Sequence, residues 1–280
     1  MPSPQPGHPN ARKAVAALLM LSAVAYTAWV LEVVLSTGLD PVQAYISELA
    51  AEDQPLGGLF RATDLVAGLC VLAAAVTALA TGQTGRTGQT RQAGQASRSG
   101  PRAAGRRAGR RWAVAGWSAL ALFGAATAAD SRLPLSCAPT SDEMCAARET
   151  AGLVPATHTA HAVTSSLAML GALTGLAVLT VAARRYGWWP PVGRVGPWLL
   201  GAELLATGWS LAAIAAFEAG RGTWALGAGQ RLQVLLVALW LAVLALGVVR
   251  ADGAPQGAPP GAPPQRESRP VDRAPGRESA

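Results

Sequence analysis

Six apolar runs of bilayer-crossing length, at about 14–36, 59–80, 112–129, 157–183, 197–219 and 231–249, are joined by connections that alternate between arginine-rich and arginine-poor. A hydrocarbon core about 30 Å thick takes about 20 apolar residues to cross as a helix, and each run meets that length with modest tilt. Of the 23 Lys and Arg residues, 18 fall in the N-terminal segment, the second and fourth connections and the C-terminal tail. The first, third and fifth connections, with their flanking helix ends, hold only Arg61, Arg132, Arg148, Arg221 and Arg231. Basic connections stay on the cytoplasmic side because translocating them is unfavourable. The alternation predicts an all-α, six-helix transmembrane bundle with both termini cytoplasmic. A composition 51% hydrophobic and 14% charged excludes an ordinary soluble domain of this length.

The segments follow from this. Residues 1–13 read as a disordered cytoplasmic end, 14–249 as the six-span membrane domain, and 81–111 as an Arg/Gly-rich cytoplasmic loop within it. Residues 250–280, rich in Pro, Gly, Ala and Arg, read as a disordered cytoplasmic tail with too little apolar surface to offset ordering entropy. The first run imitates a signal peptide, with Arg12 and Lys13 ahead of it and Ala23-Val24-Ala25 as a cleavage-like site. The run continues to Leu35, which is long enough to anchor, so a retained helix is the expectation. The net charge of +7 is accounted for by loops that face anionic lipid. Nucleic acid is not an expected partner, since no aromatic residue interleaves the loop arginines before Trp112. The expected partner is the lipid bilayer, and protein partners are unspecified. Arginine makes up 22 of the 23 basic residues and Ala and Gly abound, which points to a GC-rich bacterial genome and a bacterial plasma membrane location. Trp112, Trp188, Trp189 and Trp198 fall at inner boundaries and Trp224 at an outer one, as in an interfacial aromatic belt.

The outer connections carry the candidate chemistry. Residues 41–50 read as a short interfacial helix or re-entrant segment, ended by Pro55 and Gly57-Gly58. Cys137 and Cys145 flank a proline-containing turn in a loop expected to face an oxidising compartment. A disulfide is the leading reading, and a pair of free thiols the alternative. Cys70, inside the second run, reads as a small buried hydrophobe. His158 and His161 open the fourth run on one helical face. They form half of a metal site or else cap neighbouring loops, while His8 lies apart at the N-terminus.

Ionisable residues in a bilayer usually face a bundle interior or a wet cavity. Glu32, Glu48, Asp64, Asp130, His158, His161 and Glu218 all fall at one expected depth near the outer boundary, and they form the candidate ligand pocket. The competing reading is that helix ends are polar and simply meet solvent. Arg61, Arg132 and Arg221 lie at the same level and are available to pair with the acids. Glu203 stands deeper, inside the fifth run, without an evident partner.

Tyr45-Ile46-Ser47-Glu48-Leu49, the stretch from Phe60 to Gly68, Asp130, the run Leu133-Pro134-Leu135-Ser136-Cys137-Ala138-Pro139-Thr140, Cys145, and His158 with His161 together carry a resemblance. The chain resembles the bacterial membrane family known as domain of unknown function 998 over about 14–249. That resemblance implies the fold and topology, and it marks Ser47, Glu48, Asp130, His158 and His161 as functional positions; the family has no established activity. A more distant analogy is to membrane hydrolases such as alkaline ceramidases and adiponectin-type receptors, which combine His, Asp and Ser around zinc. Here the His pair is spaced by three where that group uses four, and six spans stand in place of seven.

The expected function is a multi-pass membrane protein with an extracytoplasmic polar pocket for a lipid headgroup or small ligand. The alternative is a zinc-dependent hydrolase at the outer leaflet. His158, His161 and Asp130 would then hold the metal, and Glu48, with Ser47 as a second catalytic candidate, would activate bound water. A small transporter is third; it lacks detectable inverted repeats.

Overall fold

The computed structural model describes residues 9–82 and 101–250, except for the side chains of 9, 101–104 and 106. Among the described residues seven α-helices form: α1 (Pro9–Tyr26), α2 (Gly57–Ala80), α3 (Pro101–Asp130), α4 (Glu143–Thr150), α5 (Ala156–Tyr186), α6 (Pro190–Glu218) and α7 (Leu226–Arg250). Among the described residues there is no strand. Six helical segments among the described residues are long and apolar enough to cross a membrane, the first of them running from α1 into the turn that follows it, and α4 is a short surface helix. The described chain is therefore all-helical with the character of a multi-pass membrane protein.

The long helices close into a ring. Each packs on its two neighbours in the order α1, α2, α3, α5, α6, α7, and α7 returns to α1. The ends of the ring differ. One bears Arg12, Lys13, Arg110, Arg111, Arg184, Arg185, Arg194 and Arg250, and is called here the arginine end. The other, the cystine end, carries the connections 27–56, 131–155 and 219–225 and most of the acidic residues.

Toward the arginine end the ring is filled. Val15, Leu19, Trp117, Leu179, Val192 and Leu241 are buried in one cluster spanning all the long helices. The outer faces are apolar as well: Leu205 is 78% exposed and Trp198 81% exposed. Apolar side chains on both faces suit a lipid solvent, where packing rather than water exclusion holds helices together. Close approach is set by glycine. A Cβ on Gly124 would lie 2.5 Å from the Leu72 amide nitrogen and 2.7 Å from the Gly68 carbonyl. On the other side of α3, a Cβ on Gly171 would lie 2.6 Å from the Phe123 nitrogen. Small residues thus let α2 and α5 touch α3 backbone to backbone.

Several expectations change. α1 begins at Pro9, inside the stretch read as a disordered end, and stops at Tyr26. Thr27 turns its hydroxyl onto the Ala23 and Val24 carbonyls, and the chain continues as a 3₁₀ segment over Ala28–Val33. A threonine that bonds its own preceding turn competes with the helical ladder. The loop read over 81–111 is helical from Pro101, whose missing amide is harmless at a first helical position. The short helix expected over 41–50 reduces to a 3₁₀ turn at Ile46–Ala50. Trp189 is not a belt residue: it is 4% exposed, edge-on to Trp117 and Trp188, while Trp198 and Trp224 do stand out from the bundle. α5 ends at Gly187 in the left-handed region (φ 67°), a helix stop that L side chains rarely adopt, and α6 restarts at Pro190-Pro191. His8, most of the 81–111 loop before Pro101 and the tail after Arg250 lie outside the described residues.

Candidate functional site

The cystine end of the ring is hollow. A cavity of about 170 Å³ opens between α1, α2, α3, α5 and α7, beneath the first and third connections. The α3 wall carries Thr127, Asp130 and Ser131, whose spacings of three and four place them on one face. The α5 wall carries His161 and Ser165, and the α2 wall carries Arg61 and Asp64. Tyr26, Trp29 and Phe60 supply aromatic surface, and Gln230 and Gln233 complete the α7 side.

Asp130 is well supplied with donors. Thr164 Oγ1 donates to its Oδ1, and Ser165 Oγ lies 3.1 Å from Oδ1 and 3.0 Å from Oδ2. His161 Nδ1 lies 3.1 Å from both Asp130 Oδ1 and the Leu133 carbonyl, so Nδ1 carries the proton. His161 Nε2 is 3.3 Å from Ser165 Oγ. The serine hydroxyl has one proton and its best acceptors belong to Asp130. Ser165 therefore reads as a clamp on the carboxylate and not as an activated nucleophile, which would need a base free to take that proton.

Other polar groups at the cavity are unmet. No described residue donates a hydrogen bond to Asp64, although it faces the same space. Thr127 is 5% exposed and its hydroxyl has no partner, and the Trp29 indole nitrogen is buried without an acceptor. Buried polar atoms are usually bonded, so each orphan at a cavity marks a place where something else belongs.

The sequence profile of a family described as "Protein of unknown function (DUF998)" matches residues 15–94 and 101–247. That is most of the chain. The chain belongs to the DUF998 family. No curated protein and no solved structure matches it.

Within this DUF998 chain the seven residues read as one pocket occupy separate stations. Asp64, Asp130 and His161 line the cavity, as does Ser47. Glu48 does not. It is fully buried and turned to the third connection, where Thr140 N donates to Oε1 (2.8 Å) and Thr140 Oγ1 to Oε2. The lack of water outweighs these two bonds and the nearby Asp53 and Glu149 add repulsion, so the Glu48 carboxyl is raised to about 7. Its place outside the cavity removes it as a base for chemistry there.

His158 also turns away. Its Nδ1 accepts from the Ser136 amide at 3.1 Å, and its Nε2 donates to Glu149 Oε1 at 3.3 Å. The two imidazoles share a helical face but serve different partners, so the metal set His158, His161 and Asp130 does not converge. Among the described residues no group of three or more His, Cys, Asp or Glu side chains gathers as a metal site. Glu218 ends α6 in the open.

Glu32 belongs to an ion pair. Arg231 Nε lies 2.6 Å from Glu32 Oε1, and Arg231 Nη2 lies 2.7 Å from Oε2, a two-pronged contact. Arg231 Nη1 adds a bond to the Ala44 carbonyl. The arginine is 6% exposed, so this contact pins the first connection to α7 from inside. Arg61, Arg132 and Arg221, available by depth to pair with the acids, make no ion pair among the described residues. Cys137 and Cys145 form a disulfide, with Cα atoms 6.0 Å apart, which closes the third connection beside the His158 station.

The residues missed from sequence include Thr127, Thr164, Ser165, Gln230 and Gln233. Their signal was present as spacing: Thr127 lies three before Asp130, and Ser165 four after His161. Thr and Ser in a span carry little hydropathy penalty and so leave a faint mark, while Gln230 and Gln233 are polar but do not ionise.

Proposed function

We propose that this DUF998 protein binds a small polar ligand, or the headgroup of a lipid, in the cavity at its cystine end, and that this end faces the extracytoplasmic side. The observation that carries the reading is Thr127, deeply buried at the cavity wall with an unpartnered hydroxyl, facing the same space as the unpartnered carboxylate of Asp64. A bundle that needed only to pack would fill this end with apolar side chains, as the arginine end is filled. The arginine asymmetry supports the orientation.

Cysteine accessibility tests it. In a Cys70→Ala background, Thr127→Cys is exposed to membrane-impermeant cationic and anionic methanethiosulfonate reagents applied from outside. The thiol is expected to react, faster with the cation by about tenfold, and Asp64→Asn is expected to remove that preference. A thiol that stays inert until the protein is denatured counts against the pocket.

A further inference from the structure

A basic and an acidic side chain stand on one wall of the cavity without pairing with each other. Arg61 and Asp64 lie three apart on α2, so they share a face at a separation of about one helical turn. They make no ion pair with one another or with any other described residue. Arg61 is held instead by main-chain carbonyls: its Nη1 donates to Ala50 O at 2.7 Å and to Ala51 O at 3.2 Å. Those contacts fix the guanidinium but leave its charge without an anion, and Nε and Nη2 have no acceptor among the described residues. Asp64 receives no donor at all, although Asp130 beside it receives three. The molecule thus satisfies one carboxylate internally and leaves the other free.

Each free group has a natural counterpart. A guanidinium presents planar donors that match a phosphate. A carboxylate near aromatic faces suits an ammonium group, which gains from both, and Trp29 and Phe60 line the same space. The cavity holds about 170 Å³. An apolar cavity of about 150 Å³ accepts benzene, so the space fits a compact group and excludes an acyl chain.

We infer that the cavity receives a phosphorylated amino alcohol, its phosphate on Arg61 and its ammonium on Asp64. This rests on the pocket reading above and names the ligand class for it. The same chemistry is presented by a zwitterionic phospholipid headgroup and by soluble O-phosphoethanolamine.

Titration calorimetry of the purified full chain in detergent provides the test, with O-phosphoethanolamine, ethanolamine and inorganic phosphate as probes. The zwitterion is expected to bind at least tenfold more tightly than either half. Asp64→Asn is expected to reduce its affinity to that of phosphate, and Arg61→Gln to that of ethanolamine. Because Arg61 also holds the Ile46–Ala50 turn, Arg61→Lys is measured beside it; keeping the charge without the fork is expected to retain part of the affinity. Dihexanoyl phosphatidylethanolamine separates the sources. Tighter binding than the free headgroup assigns a lipid, and weaker binding assigns the soluble compound. Protection of Thr127→Cys from labelling by the zwitterion supplies a readout independent of heat. If the thiol is reactive but no probe binds or protects it, the ligand class falls while the pocket stands. If the thiol is inert in the folded protein, the pocket and the inference fall together.

Discussion

A carboxylate without solvent contact needs donors around it, and Glu48 has only those of Thr140. Its carboxyl is accordingly raised from 4.5 to about 7, mainly by burial. The consequence for stability has a definite sign. Below pH 4.5 the group is neutral in both folded and unfolded chains and its contribution is complete. Between pH 4.5 and 7 the folded chain retains a proton that the unfolded chain releases, so stability falls as pH rises, by about 1.4 kcal/mol per unit and on the order of 3 kcal/mol across the window. Glu48→Gln is expected to flatten this dependence, which thermal melting of the detergent-solubilised protein between pH 4.5 and 7.5 would read; parallel curves for the two proteins refute it. Arg231 and Glu32 give the complementary case. Removing one partner strands a buried charge, so Glu32→Gln is expected to cost about 3–5 kcal/mol, whereas Glu32→Leu combined with Arg231→Met should recover most of that. Denaturant or thermal unfolding of the three variants decides it, and equal losses in the single and double variants would contradict a pair held by mutual compensation. Neither role was legible from sequence. Depth along a span says that an ionisable group meets the outer boundary, but not which way it turns. Glu32, Glu48 and Asp64 look alike in that respect, and only the fold separates a pinning ion pair, a loop clamp and a cavity wall.

At the scale of elements, α3 is the axis on which the bundle closes, and its glycines decide whether it can. Gly124→Ala would drive a methyl group into the backbone of α2, where nothing flexible can give way. A loss of about 1–3 kcal/mol is expected, as for other overpacked sites. Gly201→Ala on α6 is the control: its Cβ would meet nothing within 4 Å, so helix propensity alone acts and the change should be neutral or stabilising by up to about 1 kcal/mol. Comparison of the two melting temperatures checks the contrast, and a Gly124→Ala protein as stable as Gly201→Ala would show that α2 and α3 slide apart freely. The third connection obeys a different logic. The Cys137–Cys145 bridge closes too short a loop to constrain the unfolded chain by more than about 3 kcal/mol, so its effect is to shape the segment that carries Ser136 and Thr140 toward His158 and Glu48. Non-reducing peptide mapping of protein from native membranes is expected to find it formed. The helical spans were legible because apolar length is a strong signal. The 3₁₀ segment after Tyr26 was not, since Trp29, Val30 and Leu31 continue the hydropathy while Thr27 breaks the geometry.

For the molecule as a whole, the strongest sequence signal concerns orientation, and the two ends of the ring differ in character. The side chains that hydropathy alone treats as equivalent are sorted by the fold into an apolar, filled arginine end and a polar, hollow cystine end. A bundle inserted the other way would translocate the basic connections, including Arg110, Arg111, Arg184 and Arg185, against the inside preference for such loops. A periplasm-active reporter fused within 137–145 is therefore expected to be active, and one fused within 86–105 inactive. The first helix is the point at which this reading is exposed. Cleavage after Ala25 would put the new N-terminus outside and remove α1 from between α2 and α7. Val15 and Leu19 would leave the core with it, and Ser22 would no longer donate to the Ala67 carbonyl. Val15 and Leu19 have no exposure in that shared core, which is what a retained helix is expected to show and a discarded leader is not. The intact mass of the purified protein should thus retain residues 1–25, and a mature chain beginning at Tyr26, or an active reporter within 86–105, would overturn the topology.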